Sequence, residues 1–491
     1  MGVLPRGMRA APRFRDVSGV LAPNPPERSY GCIVADLLGT GRAQAFVTTV
    51  DGPNRLYEFD GVRFVDVSDG HLADAQRSGI GVASADVDRS GALSLYVLNT
   101  DRFLGPGSQS DALLSRAGAR EWRDLAAGHR SDGLPLIEPL NRSAGRSVCF
   151  ADLTGNGWPD LFVANYGMPG LLYINRGQDP DTDEWLGYIN VAPPGRGIGV
   201  VTGGRAVVAA DFFNVGRLDL VCVNENDANR FWRNDGVTDE GDLRLTECAM
   251  NLGLADPMGN ARGVAVGDFD RDGRLDLVWG NWEGPHRLMF QRDDGTFEDR
   301  TPAEMQRPSR VRTVIAADFN NDGHLDIFFN NIGEPNRLFL NDGEGNFRLA
   351  TPEELLLPYD EGTGASVGDL TGDGRLDLFI ASGESTEQPN RLLLNESEND
   401  NHFLRVHAQT REGAPAIGAR VELQCDDAGD SRPQLRFIDG GSGYLCQMEP
   451  VAHFGLGGST KVARLHVRWT TGEERELRNV PVDQNLIVRP G

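Results

Sequence analysis

Asp268-Phe-Asp-Arg-Asp-Gly-Arg-Leu-Asp276 is the stretch whose reading decides the fold. It places carboxylates at loop positions one, three, five and nine and a glycine at position six. An aspartate opens a related Gly-bearing loop at Asp36, Asp86, Asp152, Asp211, Asp318 and Asp369. From first to last the openings are separated by 50, 66, 59, 57, 50 and 51 residues. Self-similarity at that period marks a repeat architecture, in which each unit must borrow its neighbours to bury its faces.

Residues 261–299 show what one unit contains. An apolar run, Gly263 to Gly267, enters the acidic loop, and a second, Leu275 to Gly280, leaves it. His286-Arg-Leu-Met-Phe290 follows, and an Asp294-Gly295 turn leads into Thr296-Phe-Glu-Asp299. Four short strands joined by turn residues make an antiparallel blade. The third-strand phrase returns as Asn54-Arg-Leu-Tyr57, Asn229-Arg-Phe-Trp232, Asn336-Arg-Leu-Phe339 and Asn390-Arg-Leu-Leu393. Helical periodicity is almost absent. The expected fold is all-β, a seven-bladed propeller, because such blades pack radially. No Phe-x-Asp strand follows Arg391-Leu-Leu-Leu-Asn395, whereas Phe14-Arg-Asp-Val-Ser18 stands orphaned ahead of the first blade. The N-terminal strand is therefore expected to complete the last blade and remove an exposed edge. The domain reading is a propeller over 14–398 and a small C-terminal β-domain over 402–490.

Carboxylates at these loop positions suit a hard, oxygen-seeking cation, calcium before magnesium, which demands a tighter octahedron. Blade five offers Asp268, Asp270, Asp272 and Asp276, and blade six Asp318, Asn320, Asp322 and Asp326. Blade seven has Asp369, Thr371, Asp373 and Asp377, and blade three Asp152, Thr154, Asn156 and Asp160. Blade two is thinner, with Asp86 and Asp88 but Ser90 and Ser94. Blade four puts Phe213 and Val215 at ligand positions, and blade one keeps only Asp36. Several calcium ions are expected, at blades five, six, seven and three, with blade two, through Asp86 and Asp88, a further candidate and none at one and four.

A net charge of −24 over 491 residues argues against nucleic acid and against an anionic membrane surface as partners. No segment approaches the ~20 apolar residues of a membrane span. The start, Met1 to Arg15, is basic without an apolar run, so a cytoplasmic chain is expected, or a secreted one if this is a mature form. The six cysteines show no metal-ligand spacing, and Lys461 is the single lysine, which leaves the blades without Schiff-base chemistry. Gly195-Arg-Gly-Ile-Gly199 has the wrong spacing for a dinucleotide fingerprint.

The loops resemble the FG-GAP/VCBS repeats of integrin-type propellers over roughly 14–395, which implies calcium at the matching positions. From Phe403 the phrases Ala416-Ile-Gly-Ala-Arg-Val421, Gly440-Gly-Ser-Gly-Tyr-Leu-Cys-Gln447, His453-Phe-Gly-Leu-Gly457 and Val467-Arg-Trp-Thr-Thr-Gly472 appear in order. They resemble the ASPIC/UnbV domain that follows such repeats in cartilage acidic protein and its bacterial relatives. Thr470 stands where that family usually has Pro, and Cys446 where Ser is common. No catalytic role follows from the resemblance, and His453 reads as a structural histidine rather than a ligand or base.

One pattern lies outside the metal loops. Six residues before the opening aspartate, blades three to six carry Arg146, Arg205, Arg262 and Arg312. Five residues beyond the ninth position stand Asn165, Asn224, Asn281 and Asn331, with Asn99 in blade two. In a hairpin these two sets fall nearly opposite each other, at the blade end away from calcium. Four guanidinium groups around a central mouth suit capture of a carboxylate or phosphate. Local pairing with Glu225, Glu283 or Glu334, and turn capping by the asparagines, is the competing account. Three functions follow: a calcium-binding propeller recognising a small-molecule or protein ligand, anionic in the favoured case; an enzyme of bacterial specialised metabolism, cyclising or alkylating a small molecule as in enediyne-type pathways; or integrin-like adhesion.

Overall fold

The structure, a computed structural model, describes residues 11–193, 195, 197–426 and 432–491. The basic start up to residue 10, and Arg196 of the Gly195–Gly199 phrase, lie outside the described residues. Each acidic loop joins an inner strand to a second strand, as in Ala261–Gly267 to Asp276–Asn281 of blade five, followed by Arg287–Gln291 and Phe297–Asp299. All neighbours in that blade are antiparallel. The innermost strands Ser29–Ala35, Gly79–Ala85, Gly145–Ala151, Val201–Ala210, Ala261–Gly267, Val311–Ala317 and Gly362–Gly368 each touch the next, and the last touches the first. The repeats therefore form a closed propeller ring. The first two strands of each blade are buried on both faces, which explains why they read as continuous apolar runs rather than alternating ones.

The N-terminal strand closes the ring as expected. Phe14–Asp16 pairs antiparallel with Arg391–Asn395, Phe14 opposite Asn395 and Asp16 opposite Leu393. Phe14 is fully buried, edge-on to Phe319 with ring centroids 6.0 Å apart. Two features depart from the simple blade. Blades three and four share one sheet, because Asp160–Pro169 runs on to pair with Val201–Ala210. Leu21–Ala22 adds a parallel strand outside Phe64–Asp66 of blade one.

The apolar clusters lie between blades rather than within them. One joins Ile315 and Phe328 of blade six to Leu378 and Leu393 of blade seven. Another joins Ala265 and Leu288 of blade five to Ile327 and Phe339 of blade six. The third strand carries an asparagine in four blades, and its side chain stitches the ring: Asn175, Asn234, Asn341 and Asn395 donate to the carbonyls of Val87, Leu153, Phe269 and Phe319 in the preceding blade, at 2.7 to 2.9 Å.

The C-terminal module packs on the loop-bearing face. One sheet orders Ala452–Gly457, His402–Ala408 and Gln484–Val488; the other orders Gln434–Phe437, Arg420–Gln424, Lys461–Arg468 and Glu474–Pro481. Between them, Gly440 to Gln447 runs into the centre of the ring. Phe150 donates its N–H to the Gly440 carbonyl at 2.8 Å, Gly443 exchanges two 2.9 Å bonds with Val264, and Val82 donates to Leu445 at 3.0 Å. Gln447 accepts from the Ser84 N–H at 2.6 Å, and its own carbonyl accepts from the Ser366 hydroxyl at 2.6 Å. A Cβ on Gly440 would collide with the Phe150 carbonyl, so close backbone approach requires glycine here. The expected open mouth is thus corrected: this segment fills the passage, because four inner strands present ladder groups that it satisfies. No helix among the described residues is long and apolar enough to cross a membrane.

Candidate functional site

All seven loops share one backbone device. The opening aspartate accepts the N–H groups of loop residues five and six: Asp268 takes those of Asp272 and Gly273, both at 3.0 Å. Gly273 sits at φ +89°, a conformation that side chains with a Cβ rarely adopt. In blades three to seven the ninth-position aspartate ties the loop to the third strand. Asp276 accepts from Phe269 at 3.0 Å and from Gln291 at 2.9 Å. Blade four does the same without a ligand set: Asp211 accepts from Val215 and Gly216 at 2.9 and 2.8 Å, and Asp219 from Phe212 and Asn234 at 3.3 and 2.8 Å. These two aspartates therefore have a structural task with or without metal.

The third position separates the loops. In blade five, Asp270 Oδ1 is buried without a hydrogen-bond partner. Ligand oxygens of Asp268, Asp270 and Asp276 lie within 4.8 Å of one another. Burial, reinforced by Asp272 and Asp270, pushes the Asp268 carboxyl up to about 7. A divalent cation would satisfy the orphan oxygen and restore the charged form. In blade three, Thr154 Oγ1 is the corresponding orphan, beside Asp152, Asn156 and Asp160. Blade six buries Asp318, Asn320, Asp322 and Asp326, and the Asn320 carbonyl accepts the side-chain amides of Asn399 and Asn401 at 3.0 and 2.9 Å. In blade two, Ser90 N–H is shared by Asp86 at 3.0 Å and Asp88 at 3.2 Å, and burial raises Asp86 to about 7.

The C-terminal module supplies partners that sequence reading did not anticipate. Arg468 donates to Asp211 Oδ2 at 2.6 Å and to Asn214 at 2.8 Å, so a guanidinium stands at the blade-four loop. Thr470 donates to Asp152 Oδ2 at 2.7 Å. In blade seven, which joins Asp369, Thr371, Asp373 and Asp377, Arg405 lies 3.2 Å from Asp369 Oδ2 and also pairs with Glu449. His453 is structural: its Nε2 meets Asn321 Oδ1 at 2.7 Å, its ring stacks on Phe403, and burial drives its pKa well below the ordinary value. These docking residues carry no shared spacing, so no sequence signal reveals them.

At the opposite ends of the inner strands Arg146, Arg205, Arg262 and Arg312 do converge, and all four are buried. Their target is the plug: Arg205 donates to the Tyr444 hydroxyl at 3.2 Å, and Arg312 lies 5.9 Å from the Tyr444 ring. Burial raises the Tyr444 phenol, but Arg205, Arg312, Arg146 and Arg262 together bring it below its usual value. Glu225 pairs with both Arg205 and Arg262, the latter at 2.8 Å, and Glu384 pairs with Arg312. Among the described residues Arg146 pairs with no carboxylate; it donates to the carbonyls of Gly145 and Phe103. Burial lowers Arg146 to about 10 and Arg262 to about 9. Tyr166 and Trp282 cover the cluster, each 4.1 to 4.4 Å from a guanidinium.

The asparagines do not join this hub. A bulge in each inner strand slips the register, so that Asn165 faces Gly145, Asn224 faces Gly204, Asn281 faces Ala261 and Asn331 faces Val311, one residue before each arginine. Their amides instead cap turns, donating to the carbonyls of Pro169, Ala228, Pro285 and Pro335 at 2.6 to 2.9 Å. Of the carboxylates weighed for local pairing, Glu225 serves the hub, while Glu283 and Glu334 face Arg310.

Known proteins agree with this construction. Segments 211–279, 268–329 and 318–380 match the FG-GAP-like repeat, and 409–491 matches the ASPIC and UnbV family. Cartilage acidic protein 1 of Xenopus tropicalis is 35% identical over 526 residues, covering 98% of this chain and 79% of that protein. The Homo sapiens protein of the same name is 36% identical over 496 residues, covering 95% of this chain and 73% of its own length. Among solved structures, the chain is similar to BP39L lectin from Burkholderia pseudomallei, with 12% identity, TM-score 0.47, and coverage of 76% of this chain and 98% of the lectin. It is also similar to YCF48 bound to D1 peptide, with 12% identity, TM-score 0.45, and coverage of 80% and 98%. With FG-GAP-like repeats, an ASPIC/UnbV module and such identity along nearly its whole length, this chain belongs to the cartilage acidic protein family.

Proposed function

We propose that this protein is a calcium-binding propeller that acts as a recognition module and takes an anionic group at the arginine end of its hub. The observation that carries the reading is the orphan oxygen of Asp270, buried among the carboxylates of Asp268 and Asp276. A buried acceptor without a partner costs about 1–3 kcal/mol, and a bound cation removes that cost. Asp268, Asp270 and Asp276 would hold the ion in blade five, and Asp152, Thr154, Asn156 and Asp160 in blade three. Its chemistry there is to neutralise carboxylates and brace the loop. The recognition half is supported by charge: among the described residues four guanidinium groups meet two carboxylates, and Arg146 pairs with neither. A buried surplus of positive charge favours an anion. No finding favours the enzyme alternative.

Calorimetric titration of chelator-stripped protein with calcium is the test. Saturable binding is expected, and Asp270→Asn should lower the stoichiometry by one; no uptake of calcium overturns the reading. At the hub, Arg146→Gln is the clean probe, because replacing Arg205 and Arg262 would leave Glu225 buried and unpaired. Citrate should bind about tenfold more weakly to that variant, the loss of one charge-assisted contact. Equal affinity removes the hub from recognition.

A further inference from the structure

The C-terminal module is fastened unevenly to the loop face. Thr470, Arg468, His453 and Arg405 tie it to blades three, four, six and seven. Over blade one, whose loop has lost its ligand set, a cleft of about 650 Å³ remains. That volume is in the range of small-molecule sites. The blade-one loop forms its floor with Asp36 and Arg42, Arg116 of blade two stands at one side, and His407, Asn485 and Ile487 of the module form the roof.

The charges in this cleft are not balanced. The Asp36 carboxylate is taken up by the N–H groups of Thr40 and Gly41 at 2.8 and 2.7 Å. Asp369 and Glu449 are both held by Arg405. Among the described residues neither Arg42 nor Arg116 pairs with a carboxylate; Arg116 donates instead to the Leu38 carbonyl. Arg405 is 4% exposed, and its buried Nε has no hydrogen-bond partner among the described residues. In a chain of net charge −24, guanidinium groups left without acids run against the overall composition. Apolar lining is present too: Phe59 and Ile487 face the cleft, and Ile487 is 58% exposed.

We infer that this cleft binds a small apolar oxyanion, an aryl or alkyl carboxylate or its sulfonate or phosphate equivalent, with Arg42 and Arg116 holding the anionic end. It stands at the opposite end of the inner strands from the arginine hub and does not depend on it. Anilinonaphthalene sulfonate, which becomes fluorescent when bound, is the probe for the full chain, with neutral N-phenylnaphthylamine as its comparison. Saturable sulfonate binding is expected, about tenfold weaker in Arg42→Gln/Arg116→Gln at an unchanged melting temperature. Arg42→Gln alone, an exposed change that cannot unfold the ring, should give part of that loss. Ile487→Trp, which narrows the cleft without altering charge, should weaken both probes. The proposal is overturned if the sulfonate does not bind, if the neutral probe binds as tightly, or if Ile487→Trp leaves the sulfonate untouched.

Discussion

Blades four and five are built on the same backbone and have opposite loops. Both keep the opening and ninth aspartates, and both use them to capture the same four N–H groups. Blade five adds Asp270 and Asp272, and one Asp270 oxygen is left buried without a partner. Blade four has Phe213 and Val215 instead, and Arg468 reaches down from the C-terminal module onto Asp211. The comparison separates two features that a motif merges: positions one and nine hold the loop backbone in both blades, whereas carboxylates at positions three and five are present only in blade five. In blade four, which lacks those carboxylates, a guanidinium stands at the opening aspartate.

The largest effect should come from the role that both blades share. Asp219→Ala and Asp276→Ala each strand two buried N–H groups, so each should cost about 2–4 kcal/mol. Urea denaturation in chelator measures this, and the two losses should be similar; a much smaller loss for Asp219→Ala would break the claim of a common structural task.

A second difference lies in the third strand. His286 of blade five stands where blades one, four, six and seven have asparagine, and its Nδ1 accepts the Asn281 N–H at 3.1 Å just as Asn336 accepts that of Asn331 at 2.7 Å. Burial, then Arg337 and Arg287, lowers His286 from 6.5 to about 3. A depressed histidine contributes stability that is complete above the unfolded pKa and is lost as pH falls from 6.5 toward 3. At pH 4 the loss should reach up to about 3 kcal/mol. His286→Asn should flatten acid unfolding over that window; an unchanged profile would place the acid sensitivity elsewhere.

Arg468→Met should destabilise by about 1–3 kcal/mol, because Asp211 then remains as a partly buried charge without its cation. Thermal melts with and without calcium sharpen this: the loss should be the same in both if the guanidinium, and not an ion, serves blade four. The smallest effect on stability is expected for Asp272→Asn in chelator, within about 0.5 kcal/mol, since this carboxylate is half exposed and its main bonds are to Arg274 within the same loop. Its cost should appear only with calcium present, as weaker binding in the calorimeter.

Periodicity was the strongest signal in the chain, and it carried far. Seven aspartate openings, the repeated third-strand phrase and the orphan Phe14-Arg-Asp imply the ring and its closure without reference to any contact. The difference between Asp270 and Phe213 at equivalent positions was equally readable, because ligand chemistry is local to one loop. The arginine column was readable as a column. Its register against the asparagines was not, because a bulge of one residue reverses which side chain faces the hub, and nothing in Gly145-Arg-Ser or Gly204-Arg-Ala announces it.

What the sequence determined by itself was everything set by short-range spacing: blade strands, acidic loops and the family of the C-terminal module. Only the tertiary structure decided what happens at the centre and on the loop face. Gly440 to Gln447 reads as one more Gly-rich turn until the inner strands are in place to bond it. The hub arginines read as the lining of an open mouth until Tyr444 is among them. The cleft over blade one exists only because the module is fastened to the other blades. Each of these joins residues hundreds of positions apart, where no periodic pattern connects them and only packing brings their charges and backbone groups together.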